Sequence, residues 1–261
     1  MQYSKKTKIV ATLGPASSSP DIIRKMICAG VNVFRINFSH AVYEEVEQTI
    51  ANIRRISTEE EIGVAILADL QGPKLRVGSM ERDVIVKPGD ELSFYTGEAF
   101  KGNASKVYMN YEKFPQDVKK GERILLDDGK LIFEILDTNG KDKVDAKVIQ
   151  GGPLLSNKGV NLPNTKISLP ALTEKDKEDV LFAIKNEVDW FAMSFVRYGS
   201  DPLELQKYIV ANAGYKIPVI SKIEKPEAVR NIDEIIINSD GLMVARGDLG
   251  VEVPAEEGPL I

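Results

Sequence analysis

The sequence predicts an α/β fold in which parallel strands are joined by helices, either a (β/α) barrel or a doubly wound sheet, carrying an all-β insertion after the third strand. Three observations carry this prediction. Strand-like apolar runs alternate with helical patterns over residues 1–72. The texture changes over 73–170 to short β-like runs separated by turns, and the βα alternation then resumes over 171–261. These stretches define the expected domains: the first part of the parallel domain, an inserted β domain, and the second part of the parallel domain.

In the first stretch, Lys8–Leu13 reads as a short apolar strand. Ser19-Pro20 follows as an N-cap with proline at the first helical position, and Asp21–Ala29 has helical periodicity up to Gly30. Val33–Ser39 is the second strand. Tyr43–Ser57 is the second helix, with Glu early and Arg late as the helix dipole prefers. Val64–Leu70 is nearly all apolar, as expected of a parallel strand buried on both faces. Between Pro73 and Pro170 the β-like runs are 83–86, 91–95, 106–111, 123–126, 130–136 and 143–148, and Asp128-Gly129 marks a tight hairpin. Thr173-Glu174 then caps a helix through Asn186, and Trp190–Phe195 is a fourth strand. Asp201–Asn212 is helical, Pro218–Ile223 is a fifth strand, Pro226–Ile237 is helical and Gly241–Ala245 is a sixth strand. Pro254–Ile261 begins a helix with no stop signal.

Composition narrows the function classes. With 43% hydrophobic and 28% charged residues, the chain reads as a soluble globular protein. Its net charge of −5 supplies no basic field for nucleic acid or an anionic membrane. No apolar run approaches the roughly 20 residues that span a bilayer, and no signal peptide precedes the first strand. A single cysteine, Cys28, excludes an intrachain disulfide framework and fits a reducing cytoplasm. Cys28 is expected to be a buried packing residue.

Polar residues gather at the C-terminal ends of the strands, where parallel βα folds place their sites. Arg35, Asn37 and Ser39 alternate with Phe34, Ile36 and Phe38, which puts the three polar side chains on one face. Arg35 offers a planar fork suited to phosphate, while Asn37 and Ser39 offer neutral oxygens suited to a cation. Asp69 ends the third strand and Arg76 follows it. Lys222 and Glu224 lie two apart at the end of the fifth strand, and Asp248 follows the sixth. A single charge past a strand end is usually a solvated loop residue, but recurrence on four strands argues for one mouth. Glu224 and Asp248 are hard oxygen donors suited to Mg²⁺. With Arg35 and Lys222 beside such a metal, the natural chemistry is stabilisation of a phosphoryl or enolate anion. There is no P-loop and no kinase-type glycine-rich loop. His40 is the only histidine, so a His-based zinc site or relay can involve no other position; it is equally a helix-start residue.

Several segments then carry a family resemblance. They are Lys8-Ile9-Val10-Ala11-Thr12-Leu13-Gly14-Pro15-Ala16-Ser17, Phe34-Arg35-Ile36-Asn37-Phe38-Ser39-His40, Ala68-Asp69-Leu70-Gln71-Gly72-Pro73, Lys158-Gly159-Val160-Asn161-Leu162-Pro163, Ser221-Lys222-Ile223-Glu224-Lys225-Pro226-Glu227 and Val244-Ala245-Arg246-Gly247-Asp248-Leu249-Gly250-Val251-Glu252. In content and order the chain resembles pyruvate kinase over essentially its whole length. The resemblance implies a (β/α)8 TIM-type barrel truncated after about six strands, with a barrel-like lid domain where the β insertion falls. It implies transfer of a phosphoryl group from phosphoenolpyruvate to ADP, giving pyruvate and ATP in glycolysis. Arg35 would grip the phosphate, and Lys222 would stabilise the transferring group and the enolate oxygen. Glu224 and Asp248 would ligate Mg²⁺ or Mn²⁺, and the backbone at Gly247 with Asp248 would touch substrate. Asn37, His40, Arg76 and Lys158 match nucleotide contacts, Lys158 coming from the lid. A cytoplasmic homotetramer is implied for the parent enzyme, with no nucleic-acid or membrane partner.

Asn37, Ser39, Asp69 and the Leu70 carbonyl match the family's monovalent-cation site. Potassium-dependent members carry Asp-Thr-Lys-Gly-Pro-Glu, whereas this chain reads Asp69-Leu70-Gln71-Gly72-Pro73-Lys74. The Lys74 ammonium is therefore expected to replace K⁺. The last two barrel strands and the C-terminal domain of the family are missing from the sequence, so the chain alone is expected to be an inactive fragment unless something completes it. Two other readings remain: a Mg²⁺-dependent lyase barrel acting on pyruvate-like enolates, which ADP binding would exclude, and a non-catalytic ligand-binding remnant.

Overall fold

The computed structural model describes residues 6–253, the His40 side chain excepted; the helix expected at 254–261 lies outside the described residues. The chain opens with β1 (Val10–Thr12), α1 (Pro20–Cys28), β2 (Val33–Asn37), a 3₁₀ turn at Phe38–His40, α2 (Tyr43–Glu59) and β3 (Ala65–Asp69). The insertion holds β4 (Ile85–Val86), β5 (Glu91–Tyr95), β6 (Lys106–Tyr108), α3 (Phe114–Asp117), β7 (Arg123–Leu126), β8 (Leu131–Thr138), β9 (Lys143–Gln150), β10 (Gly152–Pro153) and β11 (Val160–Asn161). There follow α4 (Glu174–Lys185), β12 (Trp190–Met193), α5 (Ser200–Ala213), β13 (Val219–Ile223), α6 (Pro226–Arg230), α7 (Ile232–Asn238), β14 (Gly241–Val244) and α8 (Arg246–Glu252).

These elements form two compact units. The first comprises the chain up to Gly72, Ala171–Ile223 and Arg230–Met243; the second comprises Pro73–Pro170, Glu224–Val229 and the chain from Val244 onward. In the first, a six-stranded sheet has the order β1-β2-β3-β12-β13-β14. The registered pairs from β1 to β13 are all parallel. The order follows the sequence without reversal, which is how a barrel is wound; a doubly wound sheet would reverse at a switch point. One face of the sheet is sealed by helices. Phe34, Ile36, Ile66 and Ala68 point to it, as do Ile23 and Ile27 of α1 and Ile50, Ile53 and Ile56 of α2, all at most 6% exposed. Fully burying a large aliphatic or aromatic side chain contributes about 1.5–3 kcal/mol, so this layer is a substantial source of the unit's stability. On the other face the register stacks Thr12, Arg35, Leu67 and Trp190 in one row. That face lines a cavity of about 910 Å³.

In the second unit, the sheet order is β11-β7-β8-β9-β5-β6, and β4 pairs separately with β10. The β7–β8 turn forms as its sequence predicts. Asp128 and Gly129 both have positive φ (57° and 80°), and Lys130 N–H donates to the Asp127 carbonyl at 3.2 Å. That is a type I′ turn, whose twist matches the flanking strands. Phe94 anchors the core with Phe133 edge-on at 5.5 Å and Phe114 at 6.1 Å.

Two local expectations need correction. The helix expected over Pro226–Ile237 is two helices, broken at Asn231, whose Nδ2 donates to the Arg197 carbonyl at 2.9 Å. A side-chain amide diverted into tertiary bonding ends the helix where apolar periodicity alone continues it. Cys28 is exposed rather than buried. The buried stripe of α1 is Ile23 and Ile27, and the next residue lies a further 100° around the axis. Cys28 Sγ lies 3.5 Å from Glu60 Oε2. Lost hydration first, and the Glu60 carboxylate second, hold the thiol above its ordinary pKa, which disfavours the thiolate a nucleophile requires.

The end of β3 is confined by Gly72, which has φ +67° and whose N–H donates to the buried Asp176 at 3.0 Å. A Cβ there would lie 2.8 Å from Phe195 Cδ2 and 3.0 Å from Ser194 Cβ. Gly72→Ala is therefore expected to destabilise the protein by about 2 kcal/mol, from a left-handed backbone and a clash together. A urea-unfolding midpoint unchanged from wild type would contradict this.

Candidate active site

Residues two apart on a strand share a face, and neighbouring strands in register continue it. Thr12, Arg35, Asn37 and Asp69 therefore fall on the cavity side of the first unit's sheet, near the C-terminal ends of β1, β2 and β3. Lys222 occupies the same side of β13, two residues beyond the cavity-lining Ile220.

Asp69 is the centre of this group. It is 2% exposed and is held from both sides by cations. Arg35 Nε donates to Asp69 Oδ2 at 2.7 Å, its Nη2 pairs with the same oxygen, and Nη1 donates to Thr12 Oγ1 at 3.0 Å. Lys222 Nζ lies 3.3 Å from Asp69 Oδ1, an ion pair without hydrogen-bond alignment, since Oδ1 lacks a hydrogen-bond partner among the described residues. The ammonium instead donates to Ser194 Oγ at 2.8 Å, and that hydroxyl donates to the Leu70 carbonyl at 2.7 Å. Two cations around one buried carboxylate leave a net positive patch. Such a patch, fixed before substrate arrives, is suited to a phosphate or an enolate oxygen.

Three of the groups matched to a monovalent-cation site, Asn37, Asp69 and the Leu70 carbonyl, already have partners within the protein. Asn37 Oδ1 accepts the Ser39 N–H at 3.0 Å, capping the 3₁₀ turn. The Leu70 carbonyl accepts Ser194, and Asp69 carries the two cations just described. This donor set fits a bare K⁺ poorly, because its one charged ligand is already neutralised.

The remaining candidates belong to the second unit, apart from His40, whose side chain lies outside the described residues. Arg76 bridges antiparallel to Gly159, and Val77 N–H donates to the Lys158 carbonyl at 3.0 Å, so Arg76 and Lys158 lie on paired backbone segments. Arg76 Nη1 donates to the Asn157 carbonyl at 2.8 Å. Lys158 Nζ pairs with Asp127 Oδ1 at 2.9 Å, and Lys130 Nζ with Oδ2 at 3.0 Å. Lys158 first, then Lys130, holds the Asp127 carboxyl below its ordinary pKa. The Lys74 carbonyl accepts the Asn110 amide at 3.2 Å. Glu224 is 1% exposed and follows β13 directly, whereas Gly247 and Asp248 are exposed in the first turn of α8. No group of three metal-ligating side chains occurs among the described residues. Two carboxylates fit Mg²⁺, which takes one or two from the protein and fills its shell with substrate oxygens and water.

Sequence reasoning missed three participants: Thr12, Ser194 and Asp127. Ser194 falls inside the strand expected over Trp190–Phe195, and only the structure sets it apart. It is the first residue past β12, the same kind of position that singles out the other strand ends, and it precedes Phe195, a bulky residue at φ +55°. Such backbone costs about 1–3 kcal/mol and concentrates at functional sites.

The family model described as pyruvate kinase, barrel domain, matches residues 4–261. A pyruvate kinase from Geobacillus stearothermophilus is 47% identical over 262 residues, covering 98% of this chain and 44% of its own length. One from Clostridium perfringens is 43% identical over 257 residues, covering 98% and 54%, and pyruvate kinase 2 of Synechocystis is 46% identical, covering 98% and 44%. The chain thus spans about half the length of these curated relatives. Barrel-order winding, strand-end chemistry and a match to the barrel domain along nearly the whole sequence make one conclusion: this chain belongs to the pyruvate kinase family and has its α/β barrel fold.

Proposed function

We propose that the chain carries the phosphoryl-transfer machinery of a pyruvate kinase, moving the phosphoryl group of phosphoenolpyruvate to ADP to give pyruvate and ATP. The observation that carries the reading is the Arg35–Asp69–Lys222 cluster, two cations held on a buried carboxylate on the cavity side of a barrel-type sheet. Arg35 orients the phosphate through its planar fork. Lys222, desolvated and steered by Ser194 and Asp69, stabilises charge on the transferring group and on the enolate oxygen that the transfer releases. Arg76 and Lys158 of the β insertion bind the nucleotide phosphates, together with Asn37 and His40, and the insertion acts as a lid. Glu224 and Asp248 hold Mg²⁺ or Mn²⁺, with the Gly247 backbone against substrate. When bound, the metal supplies neutralising charge beside the phosphoryl oxygens. The parent enzyme acts in the cytoplasm as a homotetramer.

The reading includes independence from K⁺. Lys74 replaces the acidic residue of potassium-dependent members, and Asp69 already carries two side-chain cations. The test is a lactate-dehydrogenase-coupled assay with phosphoenolpyruvate, ADP and Mg²⁺, run in K⁺ and again with K⁺ replaced by tetramethylammonium, beside calorimetric titration of phosphoenolpyruvate and ADP. Turnover is expected to differ by less than about threefold between the two cations, since a fixed ammonium supplies the charge. Turnover lost in tetramethylammonium would sink the K⁺ reading. A folded protein that neither turns over nor binds either substrate would sink the phosphoryl-transfer reading.

A further inference from the structure

We infer that Asn161 is a positioning residue: through Glu252 and Lys225 it ties the β insertion to the two short segments that carry the proposed Mg²⁺ ligands. The metal role of those segments rests on the phosphoryl-transfer reading; the tie itself does not.

Glu252 and Lys225 are 6% and 7% exposed and form an ion pair. Asn161 Nδ2, on β11, donates to the same oxygen, Glu252 Oε1, at 2.7 Å. The second oxygen, Oε2, is buried with no hydrogen-bond partner among the described residues. The carboxylate is therefore fixed from one side, by an amide from the insertion and an ammonium from the segment after β13. Each partner sits beside a proposed metal ligand. Lys225 immediately follows Glu224, so anchoring its ammonium restrains the backbone that presents Glu224. Glu252 ends α8 four residues after Asp248, one turn along the same helix face.

A second contact acts in the same sense. At Gly129, in the β7–β8 turn, the position of a Cβ would lie 3.8 Å from Val251 Cγ1, so this turn also rests on α8. Glu224–Val229 and the chain from Val244 onward belong to the same compact unit as the insertion. The segments bearing both carboxylates are thus built into the body that bears Arg76 and Lys158. Of the three latch residues, only Asn161 comes from the insertion, and it is neither a proposed metal ligand nor a proposed substrate contact.

The experiment measures Mn²⁺ affinity from the free-ion EPR signal, and amide hydrogen exchange, on this chain and its Asn161→Leu, Glu252→Gln and doubly substituted variants. Losing a hydrogen bond to a buried charged group is expected to weaken Mn²⁺ binding about tenfold in Asn161→Leu. Exchange over 246–252 should rise about tenfold while β8 is unchanged. The double variant should bind Mn²⁺ no more weakly than Glu252→Gln alone, since both changes break one node. A folded Asn161→Leu protein with wild-type Mn²⁺ affinity would overturn the positioning role, and unchanged exchange over 246–252 would overturn the tie. A wild-type chain that binds no Mn²⁺ would instead sink the metal reading, leaving exchange over 246–252 to decide for or against the tie.

Discussion

Under the proposed phosphoryl transfer, Lys222→Met is expected to lower kcat by about 10³-fold or more, with a much smaller effect on folding. Methionine preserves the length and apolar stem of the side chain, so the packing of β13 is little altered. What disappears is a single desolvated charge, 7% exposed and aimed by Ser194 and Asp69. Removing one neutral oxyanion donor typically costs 10²–10³ in rate, and a buried ammonium facing a developing anion is worth at least that much. Asp69 keeps Arg35 as its counter-ion in this variant, so no uncompensated charge is left behind. The check is kcat at saturating substrates and Mg²⁺, measured beside the urea-unfolding midpoint. A kcat within tenfold of wild type in a folded protein would remove Lys222 from the reaction.

The parallel unit was legible in the sequence because its strands are buried on one face by helices whose own stripes repeat every 3.6 residues. Its winding was not. Barrel and doubly wound sheet share the same local pattern, and only the strand order β1-β2-β3-β12-β13-β14 separates them. Of the longer strands of the insertion, β5, β8 and β9 could be read from their alternation and β7 from its short apolar run. The two-residue strands β10 and β11 could not, because two residues carry no period. The same applies to α8, where the glycines at 247 and 250 weaken any helical signal.

The site was legible as residue types at strand ends, and much less so as a network. Arg35, Asp69 and Lys222 stand out because charges at the ends of apolar strands demand a reason. Ser194 and Thr12 do not, since a hydroxyl is common everywhere and gains meaning only from what it touches. The ion pair of Lys158 with Asp127 joins residues 31 positions apart and depends on β11 returning alongside β7, a register no local pattern contains. Sequence reasoning also treated Asp69 mainly as a cation ligand, whereas in the folded chain its partners are two side-chain cations.

That difference has a large consequence for stability. Asp69→Asn is expected to destabilise the protein by about 3 kcal/mol, because it leaves Arg35 and Lys222 facing a neutral amide inside the sheet. Removing one partner of a buried ion pair costs about 3–5 kcal/mol, and the lower end applies because Arg35 keeps 26% of its side chain exposed to water. The sign of a second substitution separates charge balance from packing. If Asp69 serves as counter-charge, adding Lys222→Met to Asp69→Asn removes one of the two unbalanced cations. Unit charges about 4 Å apart at an effective dielectric near 20 interact by about 4 kcal/mol, so the relief should be measurable. The double variant is then expected to be more stable than Asp69→Asn alone by about 1 kcal/mol, although each single change removes a native contact. Urea-unfolding midpoints of the four proteins test this. Destabilisations that simply add would mean that Asp69 is held for its packing and hydrogen bonds, and that the two cations do not sense one another through it.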